Sequence, residues 1–227
     1  MDLAQTVREA DPDRYFATLF APADRRDALL ALYAFDAEIA SLRHKVREGL
    51  AGEIRLRWWS DALALPATER SGNPLADALR ETIDRYQLPR EAFDRYLDAR
   101  IADLYDDPLP TRTDLEAYAG QTAGLVTQLA CLVLNRTHAH EAADACGHGG
   151  CLFVLDRMLR DPVQARALAP DELLAAMGVE RSALETSLPD GVVSAIRALA
   201  EEHRAAFLQA VRKAPVTLRP AFLHLAP

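Results

Sequence analysis

Apolar positions along this chain recur at spacings of three and four, and no run alternates convincingly with period two, so the pattern predicts helices throughout. Alanine, leucine, arginine and glutamate dominate while β-branched residues are sparse, which points the same way. Proline and glycine mark the helices off. Asp11-Pro12 opens a short helix over Tyr15 to Phe20, and Pro22 precedes a long one from about Ala23 to Val46. The next spans Gly52 to Leu65 and stops at Pro66; Ser71-Gly72-Asn73-Pro74 is a turn before a helix from Leu75 to Tyr86. Pro89 suits the first turn of a helix running to Leu104, and Asp106 to Pro110 is a loop. Thr113 and Glu116 read as a capping box for a helix reaching about Asn135. Another spans roughly His140 to Arg160, and the tail from Pro170 gives short helices and a long one over Val192 to Arg212. With no repeat or long linker, one all-α domain over residues 1–227 is expected.

Composition narrows the partners. Half of the 227 residues are hydrophobic, enough for a sizeable core, and the net charge is −8. Such an acidic chain is a poor match for nucleic-acid phosphates and for non-specific adsorption to anionic lipid, while a local membrane contact stays open. Three cysteines without scaffold-like spacing suggest a reducing compartment, and the start Met-Asp-Leu-Ala-Gln lacks the basic and apolar regions of a secretory signal. The longest apolar run, Ala123 to Leu134, is broken by Thr127 and Gln128 and falls short of the roughly 20 residues of a membrane span. A cytoplasmic protein is expected, with peripheral contact at the inner membrane as an option.

Several residues are candidates for chemistry. Asp36 lies on one helical face with Leu29, Leu32, Tyr33 and Ala40, an apolar stripe in which an unpaired carboxylate would be costly. It either faces a cavity or pairs with an arginine from another helix. Glu38 points elsewhere, beside Phe35 and Leu42, as an ion-pair partner. Gly120 and Gly124, with Ala123 and Thr127, make a small-residue face for close approach of a helix or a ligand. Trp58 and Trp59 are adjacent amid Arg55 and Arg57, and one of two neighbouring helical tryptophans must point away from the other's burial site. It could dock a partner or sit at a membrane interface; packing against the C-terminal helix is the plainer alternative. His138, His140, Cys146, His148 and Cys151 crowd together without a standard zinc spacing, so no metal site is expected there.

The stretch Tyr33-Ala34-Phe35 to His44 resembles the first signature of the squalene/phytoene synthase family, whose metal-binding aspartates would fall at Ala40, Ser41 and His44. Two carboxylates four apart share a helix face and can hold Mg²⁺ against a diphosphate, which Ala40 and Ser41 cannot do. A second signature begins at Gly150, and Leu155, Leu159, Arg160 and Asp161 keep step with it. Val154 stands at its glutamine position, Arg157 at its asparagine, and Gln164-Ala165 replace its closing acidic pair. Pro162 biases the surviving Asp161 away from helical geometry. Between the two, Asp103, Thr111, Asp114-Leu115, Tyr118 and Ala123 to Val126 look like the family's central region.

The resemblance is best over about residues 11–161 and implies the all-α isoprenoid-synthase fold. The stretches from Asp11, from Tyr33 and over Gly52 to Trp59 look most like the non-catalytic subgroup that resembles the respiratory complex I assembly factor. Membership there implies a scaffold or assembly protein with a protein partner, complex I subunits among the candidates, and no cofactor. Its partner surface would be Arg55, Arg57, Trp58 and Trp59. An inherited pocket for a prenyl or lipid ligand would involve Tyr33, Asp36, Tyr118, Gly120, Gly124 and Thr127. The alternative is a divergent prenyl-diphosphate transferase or synthase of isoprenoid biosynthesis, using Mg²⁺ with acids moved to Asp36, Glu38, Asp103 or Asp161.

Overall fold

Asp2 and Asp11 accept hydrogen bonds from the backbone N–H groups of Gln5 and Arg14, and these two caps start the first two helices, α1 (Leu3–Ala10) and α2 (Pro12–Thr18). The computed structural model describes residues 1–46, 48–66, 68–105, 107–185 and 187–225. Asp106, at the head of the expected loop before Pro108, lies outside them. Then come α3 (Ala23–Lys45), α4 (Gly49–Ala64), α5 (Pro74–Tyr86) and α6 (Arg90–Ile101), the last tightening into a 3₁₀ turn over Ala102–Leu104. The rest comprises α7 (Arg112–Ala119), α8 (Leu125–Asn135), α9 (Ala143–Arg160), α10 (Pro162–Leu168), α11 (Asp171–Ala176) and α12 (Asp190–Lys213). No strand occurs among the described residues.

The helix α3 is the axis of the fold. Every residue from Ala28 to Asp36 is buried, because α1, α2, α5 and α8 all pack on it. A helix enclosed on all sides is apolar all round, and the one carboxylate in that run therefore needs a partner. Two clusters of buried residues result. One lies among α3 to α6, α8 and the C-terminal turns, and the other among α7 and α9 to α12. The helix α9 belongs to both, through Cys146 on one side and Cys151, Leu155 and Met158 on the other.

The helix that ends at Asn135 differs from expectation at its cap and in its interior. The capping box is Thr111 with Asp114, each side chain bonded to the other's backbone, rather than Thr113 with Glu116. Helices α7 and α8 are one continuous path, joined by a π-helical turn over Gly120–Gly124. Helix therefore runs unbroken over Arg112–Asn135, close to the extent expected from the sequence, and its 24 residues are apolar enough to cross a membrane although the longest apolar run within them falls short of a span. Its most apolar window is 72% buried inside the protein, as the core helix of a packed domain would be. The turn lies where α9 crosses, and a Cβ built on Gly150 would come within 2.5 Å of the Gly124 backbone nitrogen. Glycine at 150 makes that crossing possible, and a Cβ on Gly124 would itself come within 3.1 Å of the Cys146 carbonyl oxygen.

Candidate functional site

Where α3, α6, α7, α9 and α10 converge they line an open cavity of about 200 Å³. From α3 it receives Asp36, Ala40, Ser41 and His44, and from the opposite side Arg157, Asp161 and Gln164. The two stretches that resemble family signatures thus face each other across one space. Asp161 is the hinge between α9 and α10. Its backbone is extended, at φ −131° and ψ 106°, as a residue before proline prefers, and its carboxylate caps α10 by accepting from Val163 N at 2.9 Å.

Asp36 is the most constrained group at the cavity wall. Arg14 of α2 donates to Oδ2, the Tyr96 hydroxyl donates to Oδ1, and Arg100 of α6 donates to Oδ1 at 2.9 Å. Arg100 also reaches Asp103 at 3.0 Å, and Tyr118 donates to the same Asp103 carboxylate at 2.6 Å. Burial opposes a charged carboxylate here, but the Arg14 and Arg100 guanidiniums, with the Tyr96 hydrogen bond, outweigh it and hold Asp36 far below the usual carboxylate range. The same burial pushes the Tyr118 phenol well above its ordinary value. Of the two readings of Asp36 left open by sequence, the arginine pair is therefore realised, at the wall of a cavity. Arg14, Tyr96 and Arg100, which complete the network, were not singled out from sequence. A hint existed in the spacing of Tyr96, Arg100 and Asp103, which puts all three on one helical face.

The remaining candidates scatter. Glu38 pairs with Lys45 at 2.8 Å on the surface, as expected of an ion-pair partner. Tyr118 lines the cavity, whereas Tyr33, Gly120, Gly124 and Thr127 do not. Gly124 is spent on the α9 crossing, a Cβ on Gly120 would meet open space, and Thr127 donates to the Ala123 carbonyl within its own helix. Tyr33 packs beneath Arg14, whose guanidinium carbon lies 5.1 Å from its ring and 4.2 Å from that of Phe153. The tryptophans divide as their adjacency requires. Trp59 is buried against Phe35 of α3, with ring centroids 5.2 Å apart, and not against the C-terminal helix, while Trp58 is 39% exposed. Leu50, Ile54 and Trp58, four residues apart, form an exposed apolar row on α4 beside the exposed Arg55 and Arg57.

The histidine and cysteine group also disperses. His138 meets Glu141 at 2.6 Å, His148 meets His203 at 3.0 Å, and the Cys131 and Cys146 sulfurs lie 3.9 Å apart. Burial pushes the Cys151 thiol up to about 12, which disfavours the thiolate a metal requires. Among the described residues no three such side chains converge on a point.

The squalene/phytoene synthase family model matches residues 7–226. The chain belongs to the squalene/phytoene synthase family. In fold it is similar to a dehydrosqualene synthase solved with ligand, at TM-score 0.75 and 19% identity over 98% of this chain and 82% of that one. It is likewise similar to the squalene synthase HpnC from Alicyclobacillus acidocaldarius, at TM-score 0.71 and 20% identity over 98% of this chain and 87% of that one. In sequence it is 26% identical to the "NADH dehydrogenase (ubiquinone) complex I, assembly factor 6" of Bos taurus, over 97% of this chain and 68% of that protein. The mouse protein of the same name is 28% identical, over 63% of this chain and 44% of the relative. The chain therefore spans between under half and about two thirds of these relatives' lengths.

The residues present do not fit a Mg²⁺–diphosphate complex. Six-coordinate Mg²⁺ takes hard oxygen ligands, usually one or two carboxylates with substrate phosphates. The acids on this cavity are Asp36 and Asp161. Asp36 is held by two guanidiniums and a phenol, and Asp161 serves as a helix cap. Among the described residues, no carboxylate pair lines either side of the cavity to grip a metal.

Proposed function

We propose that this chain is a non-catalytic member of its family that acts as an assembly or scaffold protein for respiratory complex I. The observation that carries the reading is the donor set of the central cavity: Ala40, Ser41 and His44 face Arg157 and Gln164, and the deepest acid is neutralised by Arg14 and Arg100. The names of the relatives, reached at 26–28% identity, support the particular partner. The family's scaffold is retained while the groups that ionise a diphosphate are replaced, leaving partner binding as the role for the fold.

The partner surface is the exposed face of α4. Leu50, Ile54 and Trp58 supply apolar area, and Arg55 and Arg57 flank it with donors; tryptophan and arginine are the residue types that most often dominate interfaces. Trp59 supports this face from within the core and takes no part in the contact. The protein would work in the cytoplasm, in peripheral contact with the inner membrane that holds its client.

Complementation of a deletion strain tests the reading, scored by the amount of assembled NADH dehydrogenase on native gels and by NADH oxidation in membranes. Asp161→Asn retains the helix cap and should rescue fully. Trp58→Ala changes an exposed residue, should fold, and should fail. Failure of folded Asp161→Asn with rescue by Trp58→Ala would instead point to chemistry at the cavity.

A further inference from the structure

Behind the Asp36 network lies a second group of polar atoms that the assembly reading does not use. Both ring nitrogens of His224, the Tyr33 hydroxyl and Arg14 Nη2 are buried and have no hydrogen-bond partner among the described residues. They belong to one knot of side chains. The Tyr33 and His224 rings are 6.4 Å apart, His224 and Phe153 5.9 Å, and the Arg14 guanidinium stacks on both Tyr33 and Phe153. Native proteins rarely leave one such atom unsatisfied, and three neighbouring side chains that each leave an atom without a partner call for a common one. His224 and Phe153 open onto a groove of about 570 Å³ between α2, α9, α12 and the C-terminal turns. Phe16, Phe20, Leu152, Leu159 and Leu223 form its apolar walls, and Phe16 and Phe20 are 54% and 73% exposed. That volume is in the range of small-molecule sites.

We propose that this groove binds a neutral amphiphile, an apolar chain ending in a hydroxyl or carbonyl group, whose oxygen is held at His224 on the groove wall and by Tyr33 and Arg14 buried behind it. Charge selects the neutral head. The positive charge of Arg14 is already matched by Asp36 and by Asp11, whose carboxylate lies 3.7 Å from Arg14 Nε. Burial, with Arg14 beside it, holds His224 well below its ordinary pKa, so it offers one N–H and one lone pair. At the mouth, Arg160 and Arg204 are paired with Asp156 and Glu201, and Asp13 adds a further negative charge, which disfavours a carboxylate or phosphate head. A carbonyl oxygen accepts from Arg14 and Tyr33; a hydroxyl accepts from one of them and donates to the free His224 nitrogen. The site lies across Phe153 from the cavity described above, and the proposal stands whether or not complex I is the client.

Isothermal titration calorimetry of the full chain with 1-decanol, 2-undecanone and decanoate, without added metal, tests it. Saturable one-to-one binding of the alcohol or the ketone is expected, with decanoate at least tenfold weaker. Tyr33→Phe should weaken the preferred ligand about tenfold, and Phe20→Asp, an exposed change that leaves folding intact, should abolish binding. The proposal is overturned if neither neutral ligand saturates below its solubility limit, as when ordered water alone occupies the knot. It is equally overturned if decanoate binds as tightly, or if folded Phe20→Asp binds like the parent chain.

Discussion

Asp36 is a buried acid whose charge is matched by its neighbours. Its carboxylate sits between two guanidiniums with fewer than one in twenty of its surface exposed. Removing one partner of a buried ion pair typically costs about 3–5 kcal/mol, because the other charge is left uncompensated. Asp36→Asn should therefore destabilise the protein by about that much in urea denaturation at pH 7. The folded pKa of Asp36 is depressed, so its contribution is fully present above the unfolded value near 4 and is lost as pH falls below it. The gap between parent and variant should narrow in acid accordingly. His224 gives the opposite charge logic with the same direction in pH. It is neutral when folded and takes up a proton when unfolded below about pH 6.5. Stability should thus fall with acidification through pH 6 to 5, and His224→Gln should lessen that slope by about 1.4 kcal/mol per pH unit, the value for one proton.

Helix boundaries were largely legible, because proline and glycine act locally. Pro22, Pro66, Pro74 and Pro162 each bound a helix as the sequence implies. The first helix was missed although Asp2 and Gln5 carry its cap, and the capping box was read two residues late. Thr111-Arg112-Thr113-Asp114 and Thr113-Asp114-Leu115-Glu116 both satisfy the pattern, and only the packed structure chooses between them. Thr111→Ala should cost about 1 kcal/mol of stability and Thr113→Ala much less, as thermal denaturation would show. The π turn was invisible because it answers a helix from elsewhere in the chain. Gly150→Ala puts a Cβ against backbone atoms at 2.5–2.9 Å, where nothing flexible can move aside. It should destabilise by about 1–3 kcal/mol or more, whereas Gly120→Ala, facing open space, should be close to neutral. The network around Asp36 escaped sequence reading for a related reason. Its partners are 22 and 64 residues away, and nothing local says which arginine a buried acid will find.

For the whole molecule, the retained fold and the replaced donors have separate causes. The core depends on α3 being enclosed and on the α8–α9 crossing, and neither requires a metal. The cavity between α3 and α9 keeps its place in the architecture, but its walls now present alanine, serine, histidine, arginine and glutamine where the family's signatures have acids and amides. An acidic chain of net charge −8 with a local apolar row between arginines on α4 suits a specific protein contact better than diffuse attraction to a polyanion. The most direct measurement is calorimetric titration of the purified chain with a non-hydrolysable farnesyl diphosphate analogue, with and without millimolar Mg²⁺. With no carboxylate pair to hold the cation, binding should be weak and unchanged by Mg²⁺. Micromolar binding that appears only when Mg²⁺ is present would contradict the account and restore the cavity as an active site.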